Sequence, residues 1–452
     1  MNTKKENPWL DRFDGLDDQD EIRRRVTVAG EQLHAIKSIP ANQIKREVER
    51  TLRSFYLPTQ ADLKVLYRLV GVAKGHCAAR YTDRVSYISN LYKPHDQFES
   101  EFQAPICLTG SAGIGKSALL AAFSRLLPMD SILDLGEGHP TVPLAGSWRI
   151  QVKAKATTSS MLRPYIGGEL GSIKSPTLEL LTAVTTKTIN TQGVSLIMVD
   201  EMQFFTQSAS ANTLLTKRLL ELSYLGSPVI YAANYSLVRR LLKRNEEDIQ
   251  RLLSEHINLP TPDPRSEDWF NYLLAIQSLM CDTLRIDLDK CSDVIYGFSA
   301  GLKRLVIQLV SIAYENVWNQ GRRQVSIEDI ENAYASNSFA ANRLQVEALL
   351  DMRPSKRSMK YRSPLPSSPE LEMNVADLRK RKKTEELWQA IQRDALPISK
   401  RKEFDKTVVL PLTNIAPTPP VKRARSTPVT AESLRKTHER RRQLGAGPDR
   451  KL

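Results

Sequence analysis

One segment limits what this chain can fold into more than any other: GSAGIGKS, from Gly110 to Ser117. It has the spacing GxxxxGK[ST], and it lies between the apolar run APICLTG and the helix-forming run ALLAAFSRLL. A strand, a glycine-rich turn and a helix in this order predict a loop whose backbone N–H groups surround a phosphate at a helix N-terminus. The sequence therefore predicts a nucleotide-binding α/β fold.

The residue types in this segment each have a physical reason. Glycines let the backbone bend so that successive N–H groups face the β-phosphate. Lys116 is placed to bridge the β- and γ-phosphates, and the hydroxyl of Ser117 is placed to ligate Mg²⁺. We therefore predict ATP and Mg²⁺ as cofactors, with a site made of the whole loop: Gly110, Ser111, Ala112, Gly113, Ile114, Gly115, Lys116 and Ser117.

A second apolar run, SLIMVDE from Ser195 to Glu201, predicts a buried strand that ends in two carboxylates. By itself, an apolar run ending in Asp-Glu is a common strand terminus. Downstream of a phosphate loop, it predicts that Asp200 holds Mg²⁺ together with Ser117. Glu201 is then placed to orient or deprotonate the attacking water. The pair favours an ATPase that converts ATP to ADP and phosphate over a passive nucleotide binder.

Two further residues are candidate sensors of the γ-phosphate. Asn234 ends the predicted strand VIYAAN, where a polar side chain can reach the γ-phosphate and the lytic water; the alternative is a turn asparagine. Arg304 follows Gly301-Leu-Lys303 at the start of a predicted helix near the C-terminal end of the fold, and Lys303 is the second choice there. The alternative for this basic pair is a charged first turn of a helix.

The segment after Asn234 is rich in arginine: Arg239, Arg240, Arg244 and Arg251. Arg251 is our first candidate for an arginine that reaches the γ-phosphate of a neighbouring subunit, and Arg244 is the second. The alternative is a solvated basic face. Since such an arginine acts in trans, this prediction implies a homo-oligomer.

The organisation of the chain follows from where strand patterns start and stop. WRIQVKA, SLIMVDE, SPVIYAAN and EHINLP alternate with helical segments, which predicts a parallel sheet with helices on both faces. We predict an N-terminal helical region over 1–95, the ATPase core over 96–264, a helical lid over 265–352 and a basic, proline-rich tail over 353–452. The acidic residues 1–25 are expected to be loosely ordered.

The positive charge is concentrated in the tail. Residues 353–452 hold 25 Lys and Arg against 11 Asp and Glu, which accounts for the whole net charge of +14. Such a composition predicts a largely disordered arm. Its basic clusters suit a polyanion such as nucleic acid, or an acidic protein surface, and the segments LWQAI and TVVLPL suit docking to a partner protein. With no membrane-spanning apolar run and no signal-peptide core, we expect a cytoplasmic protein without a membrane partner.

A basic segment follows the predicted strand WRIQVKA. Lys153 and Lys155 end the strand, and Thr157 and Thr158 come next. A loop facing a central pore there would hold DNA phosphates through charge and hydroxyl hydrogen bonds. The alternative is an ordinary strand-end surface, since most lysines are simply solvated.

Taken together, these motifs resemble those of AAA+ ATPases. More narrowly, VDEMQFF (Val199 to Phe205) resembles the IDE-x-[QH] signature of the TnsC/TniB transposon ATPases. ENPW near the N-terminus, FYLPTQADLKVLYRLVGVAKGH (Phe55 to His76) and the lid segments GLKRLVIQLVSIA and VSIEDIENAY are similar to that family as well. The resemblance covers roughly residues 5–350. The chain departs from some members at Ala233-Asn234, where they carry Gly-Thr.

The resemblance implies a regulator of DNA transposition in bacteria. Proteins of this kind bind ATP, assemble on double-stranded DNA as a ring or filament, and receive a target-selection protein of the TniQ or TnsD type. They then recruit a TnsB-like transposase, with a TnsA-like subunit as a further candidate. In the family the N-terminal region is associated with the target selector and the C-terminal tail with the transposase.

Two other interpretations stay open. One is a different AAA+ remodeller, such as a helicase loader or an origin-binding ATPase. A tail poor in apolar residues disfavours it, since origin proteins more often carry a winged-helix domain after the lid. The other is a nucleotide-gated switch in which hydrolysis hardly matters, which Glu201 disfavours.

Overall fold

The structure is a computed structural model that describes residues 7–98, 101–127, 131–136, 138–153, 156–171, 173, 175–202, 211–351, 359–365 and 393. All elements named below belong to the first of two compact units, Met1–Thr384. Of the second unit, Glu385–Leu452, the described part is Arg393. The tail's basic clusters, its segments LWQAI and TVVLPL, and Lys155 therefore lie outside the described residues.

The elements follow one another in three groups. The helices before the sheet are α1 (Pro8–Asp11), α2 (Gln19–Val26), α3 (Ala41–Ser54), α4 (Gln60–Arg80) and α5 (Arg84–Leu91). The central group is β1 (Ile106–Gly110), α6 (Lys116–Leu126), β2 (Ser131–Leu133), β3 (Val142–Leu144), β4 (Trp148–Gln151), α7 (Thr158–Leu170), α8 (Leu178–Gln192), β5 (Ile197–Asp200), α9 (Ala211–Ser223), β6 (Val229–Asn234), α10 (Tyr235–Leu241), α11 (Glu246–Leu253) and β7 (Glu255–Asn258). The C-terminal helices are α12 (Glu267–Leu279), α13 (Leu288–Ser299), α14 (Lys303–Asn319), α15 (Ile327–Ala335) and α16 (Ala340–Leu350).

The central sheet has the strand order β4-β5-β6-β1-β7, and every neighbouring pair is parallel. The carboxyl ends of parallel strands share one edge of a sheet, so loops that follow them meet there. In register, Gly110 of β1 lies beside Asn234 of β6, and Gln151 of β4 lies beside Asp200 of β5. The predicted parallel α/β fold is confirmed, and EHINLP forms its fifth strand.

Alternate residues of the three central strands, β1, β5 and β6, enter two separate hydrophobic cores. Ile106 and Leu108 face a core that they share with α6, the N-terminal helices and the C-terminal helices, while Cys107 faces the core made with α7 to α11. This alternation is the period of two that a strand imposes on its side chains. Burial on both faces explains why the strands read as nearly continuous apolar runs.

The expectation that residues 1–25 are loosely ordered is wrong for the part that the structure describes. Trp9 is buried, stacks on Tyr81 with ring centroids 5.5 Å apart, and contacts Tyr87 at 4.6 Å. Asn7 caps α1 and donates a hydrogen bond to the carbonyl of Tyr81. The acidic side chains stay outside, whereas the apolar ones enter the core: Trp9, Phe13, Leu16 and Ile22.

The N-terminal helices and the C-terminal helices pack on each other through α3 and α14. Lys45 of α3 and Glu315 of α14 form an ion pair of 2.8 Å across this contact. The predicted helical lid over 265–352 corresponds to α12 to α16, whereas the β2–β3 hairpin is an element that the sequence did not predict. One apolar core contains residues from the N-terminal helices, the sheet and the C-terminal helices. The predicted domain boundaries at 95/96 and 264/265 lie within this shared core and stay a prediction.

Within the described residues, no single helix is long and apolar enough to cross a membrane. One bent pair, α13 with α14, meets the length and composition criterion jointly, with 107° between the two helices.

Candidate active site

The phosphate loop joins β1 to α6 in the conformation that its glycines require. Gly113 has φ +88° and Gly115 has φ +120°, values that side-chain-bearing residues rarely adopt. Ile114 is buried and closes the loop against Gly110, and α6 begins at Lys116. The loop therefore presents its backbone at the N-terminus of an eleven-residue helix, where N–H groups lack helical partners and attract anions.

Lys116 is held inside this loop. Its ammonium donates hydrogen bonds to the carbonyls of Gly110 (2.8 Å) and Ser111 (3.1 Å), and the residue is 8% exposed. Burial lowers the pKa of Lys116 to about 8, while the carboxylates of Asp200 and Glu201 act in the opposite direction. The ammonium and the two carboxylates therefore share one electrostatic environment.

The two residues predicted to hold Mg²⁺ are in direct contact. Ser117 Oγ donates to Asp200 Oδ1 at 3.0 Å, although 83 positions separate the residues in sequence. The backbone N–H of Glu201 donates to the same oxygen at 2.9 Å. A hydroxyl and a carboxylate are hard oxygen ligands of the kind that Mg²⁺ prefers, so this pair fits the ion.

Glu201 has an unusual backbone conformation. Its φ of +62° lies in the left-handed region, which a glutamate seldom adopts. A non-glycine residue held there costs about 1–3 kcal/mol, and such strain clusters at functional sites. The conformation turns the chain at the end of β5, directly after the carboxylate of Asp200, and the side chain stays half-buried at the sheet edge.

An arginine that no sequence motif indicates joins this group. Arg149 of β4 places Nη2 3.2 Å from Asp200 Oδ2 and 3.0 Å from the carbonyl oxygen of Ser117. Its Nε is buried without a hydrogen-bond partner. A lone arginine inside an apolar strand matches no motif, and only the pairing of β4 with β5 brings it to the carboxylate.

Asn234 lies beside the phosphate loop, as its place at the end of β6 predicts. It pairs in register with Gly110 and occupies the N-cap position of α10, where its side chain makes no capping hydrogen bond. Asn234 therefore does not make the side-chain hydrogen bond expected of a turn or cap asparagine, which was the alternative role. The amide stays near the loop as a candidate contact for the γ-phosphate.

The two basic residues at the start of α14 point to different partners. Arg304 lies on the phosphate loop: its backbone N–H donates to the carbonyl of Gly113 at 3.2 Å, and a Cβ at Gly113 would come within 2.9 Å of Arg304 Cβ and Nε. Lys303 instead pairs with Asp62 of α4 at 3.3 Å. Of the two candidates, Arg304 is the one that forms a hydrogen bond with the phosphate loop.

The other candidate arginines have separate environments. Arg251 is exposed on α11, whereas Arg244 is tied to Asp248 of the same chain at 2.9 Å. Arg239 donates to the carbonyls of Met359, Lys360 and Arg362, so it binds the short segment that follows the C-terminal helices. The exposed Arg251 is thus free of the ion pair that engages Arg244.

The predicted DNA-contacting segment is only partly available to solvent. Lys153 is exposed, and Thr157 is exposed but caps α7 by accepting from the N–H of Ser160. Thr158 is buried, and its hydroxyl bonds Glu221 and accepts from Arg218. Thr158 therefore does not offer the hydroxyl that a phosphate contact requires, because it stabilises an internal ion pair.

A sequence profile of the AAA domain matches residues 101–241, from just before β1 to the end of α10. The match covers the phosphate loop, the Asp200–Glu201 strand and Asn234, on a parallel five-stranded sheet. The fold is the AAA+ P-loop fold. A comparison with curated proteins gave no match.

Several solved structures share similarity with the chain. The ORC1 protein of Aeropyrum pernix in complex with DNA is 15% identical, with 59% of this chain and 65% of that chain covered and a TM-score of 0.36. The ORC2 protein of Aeropyrum pernix in its ADPNP-ADP complexes is 14% identical, with 75% of this chain and 84% of that chain covered and a TM-score of 0.38. Cdc6p of Pyrobaculum aerophilum is 12% identical, with 61% of this chain and 79% of that chain covered and a TM-score of 0.36. Similarity this remote does not transfer a ligand or a partner to this chain.

Proposed function

We propose that this chain is an ATPase that binds ATP with Mg²⁺ and hydrolyses it. The observation that carries the proposal is the 3.0 Å contact between Ser117 Oγ and Asp200 Oδ1, at the mouth of the phosphate loop. A chance match to the loop pattern would not bring the one hydroxyl and the one carboxylate that the chemistry needs into contact over 83 positions of sequence.

Each residue has a role in this proposal that follows from its position. The loop N–H groups and Lys116 bind the phosphates, and Ser117 and Asp200 hold the ion. When bound, Mg²⁺ neutralises charge that develops on the phosphate oxygens. Glu201 orients and deprotonates water, and Arg304 approaches the phosphates from α14. Asn234 contacts the γ-phosphate beside Gly110.

Assembly into an oligomer is part of the proposal, because Arg251 has the exposure that a trans contact needs. In mixtures, an Arg251→Ala subunit can donate an intact site and a Lys116→Ala subunit an intact arginine. Each variant alone should have little ATPase activity, and the mixture should regain part of it. If assembled Arg251→Ala alone hydrolyses ATP at the parent rate, Arg251 is not the trans arginine.

For the biological role we propose regulation of DNA transposition: an oligomer on duplex DNA that links a target-selection protein to a transposase in the bacterial cytoplasm. The support is the resemblance of VDEMQFF, ENPW and the lid segments to TnsC/TniB ATPases. In the structure, the asparagine and tryptophan of ENPW are used for capping and core packing. The shared motif therefore supports a shared architecture rather than an exposed docking peptide.

The test is imaging of the full-length protein with duplex DNA and a non-hydrolysable ATP analogue. We expect rings or filaments that need both the analogue and DNA. A transposition assay with the cognate element separates this role from that of a helicase loader or origin-binding ATPase, which would leave transposition unchanged when deleted.

Truncation of the tail sharpens this test. Because Arg239 binds residues 359–362, the chain is best cut after Leu365, so that this contact is preserved. We expect the truncated protein to hydrolyse ATP and assemble on DNA, and to lose transposition. Loss of assembly instead would assign the tail to DNA binding and contradict its role in transposase recruitment.

A further inference from the structure

Arg149 is the one charged side chain in direct contact with the Asp200 carboxylate among the described residues. Its Nη2 lies 3.2 Å from Asp200 Oδ2, and the Asp200 side chain is 4% exposed. Ser117 and the N–H of Glu201 occupy the other carboxylate oxygen. Every oxygen of the carboxylate proposed to bind Mg²⁺ thus has a donor from the protein itself.

The arginine is held in this place from several sides. The same Nη2 donates to the carbonyl of Ser117 at 3.0 Å, in the first turn of α6. The hydroxyl of Tyr165 donates to the backbone carbonyl of Arg149, and the Tyr165 ring stacks on Trp148 with centroids 4.7 Å apart. The Arg149 side chain, which is 28% exposed, is therefore held by the two bonds of Nη2, and its backbone is held by Tyr165.

The charged side chains around the phosphate loop carry a net positive charge, which disfavours the binding of a divalent cation without nucleotide. Two carboxylates, Asp200 and Glu201, face three cations: Lys116, Arg149 and Arg304. A divalent ion that enters alone meets a local excess of positive charge, whereas ATP brings enough negative charge to reverse the balance. At the short distances of such a site these interactions are only weakly screened by salt.

We propose that Arg149 is the resident counter-ion of Asp200 and makes metal binding depend on nucleotide. It neutralises the carboxylate in the nucleotide-free protein, so that the ion is taken up together with ATP and not by itself. This inference rests on the proposed function, because it assumes that Asp200 holds the ion. It makes Arg149 a specificity-determining residue for the Mg²⁺–ATP complex over free Mg²⁺.

The test is the binding of Mn²⁺, a spectroscopic substitute for Mg²⁺, to full-length protein without nucleotide, measured by electron paramagnetic resonance. The parent protein should bind Mn²⁺ weakly. Arg149→Met keeps most of the side-chain volume but removes the charge, and it should bind Mn²⁺ at least about tenfold more tightly, since an unpaired carboxylate attracts the ion. A purely structural role predicts the opposite sign, because a disordered site loses ligands.

Three further variants complete the experiment. Arg149→Lys retains the charge and should bind Mn²⁺ as weakly as the parent protein. Arg12→Met removes another partly buried arginine, one that donates to the carbonyls of Ala145 and Gly193, and should not tighten binding. Asp200→Asn in the Arg149→Met background should abolish the gain.

The outcomes separate this inference from the proposed function. Arg149→Met binding Mn²⁺ no more tightly than the parent protein overturns the counter-ion role and leaves the ATPase assignment untouched. A gain that survives Asp200→Asn also overturns it, because the ion then lies elsewhere. If Asp200→Asn alone hydrolyses ATP with the parent dependence on Mg²⁺, the metal assignment in the proposed function fails.

Discussion

The nucleotide site and the contact between the N-terminal helices and α14 are built in opposite ways, although they meet at two adjacent residues. Arg304 lies on Gly113 of the phosphate loop, and Lys303 forms an ion pair with Asp62 of α4. The first contact uses a backbone position that only glycine suits. The second uses ordinary charged side chains whose partners are 241 positions apart.

The second region is a compact set of mixed contacts. Asp62 and Lys303 have side chains 6% and 18% exposed, and the ammonium lies over the rings of Tyr56 and Tyr272 at 5.8 Å and 5.7 Å. The Tyr272 ring also stacks on Phe55, with centroids 5.6 Å apart. Cation–π contacts and a largely buried ion pair therefore connect α4 to α12 and α14.

This difference predicts different tolerance to substitution. In the phosphate loop the ligand and the backbone conformation fix the residue types, so a change loses binding. In the Asp62–Lys303 contact the two charges need only each other, so removing both costs less than removing one. We expect the two regions to be coupled, because a shift of α14 at Lys303 would also move the neighbouring Arg304 on the loop.

The largest expected effect on stability is that of Asp62→Ala. It leaves the Lys303 ammonium largely buried without its carboxylate and also removes the Asp62 half of the Thr59 capping box. Breaking a buried pair from one side costs about 3 kcal/mol, toward the low end of the usual range because Lys303 keeps some exposure. Denaturant unfolding measures this loss.

Two controls sharpen the result. The double variant Asp62→Ala with Lys303→Met should recover part of the stability, since no unpaired charge remains. Glu47→Ala breaks an exposed pair with Arg50, whose side chain is 69% exposed, and should cost less than about 1 kcal/mol. Equal losses for Asp62→Ala and Glu47→Ala would contradict a buried, coupled contact.

Lys116→Ala should show the reverse pattern, with a large loss of binding and a small change in stability. Two or more charge-assisted hydrogen bonds to phosphate disappear, which corresponds to about a 100-fold loss of ATP affinity. The unfolding free energy should change by less than about 1 kcal/mol, because the desolvation of the ammonium offsets its bonds to the loop carbonyls. Nucleotide binding by fluorescence titration and unfolding in denaturant give both values.

Gly113→Ala tests whether the two regions are coupled. Its positive φ costs an alanine about 1–3 kcal/mol, and the new Cβ would lie 2.9 Å from Arg304 Cβ and Nε. We expect a lower melting temperature and weakened ATP binding, as α14 is pushed off the loop. Gly75→Ala is the matched control: it lies inside α4 with no atom within 4 Å of the new Cβ, and it should stabilise the protein by about 0.5–1 kcal/mol.

The parts that the sequence predicted are those with local physical constraints. The strand–loop–helix around Lys116 could be predicted because glycine, lysine and serine must occupy fixed positions for a backbone to enclose phosphate. The same holds for Asp200 and Glu201, which follow a run of apolar residues that fits only a buried strand. The order of the strands brought Asn234 to the same edge of the sheet, as parallel topology requires.

The rest could not be predicted, because it depends on long-range packing. Arg149 and Asp62 belong to no sequence motif. Their ion-pair partners can be identified only from the pairing of β4 with β5 and the packing of α4 near α14. The order of residues 7–25 could not be predicted, because their acidic composition hides the few apolar side chains, Trp9 foremost, that enter the core. The burial of Thr158 could not be predicted either, because its partners Arg218 and Glu221 belong to α9, about 60 positions away in the sequence.

The central claim, that this AAA+ domain hydrolyses ATP with Glu201 as the group that activates water, has one direct measurement. ATP binding and phosphate release are compared for the parent protein and Glu201→Gln, with Mg²⁺ and duplex DNA present. The glutamine keeps the size of the side chain and removes the base, so binding should stay within about twofold while turnover falls at least about 100-fold. Phosphate release by Glu201→Gln at the parent rate would contradict the account.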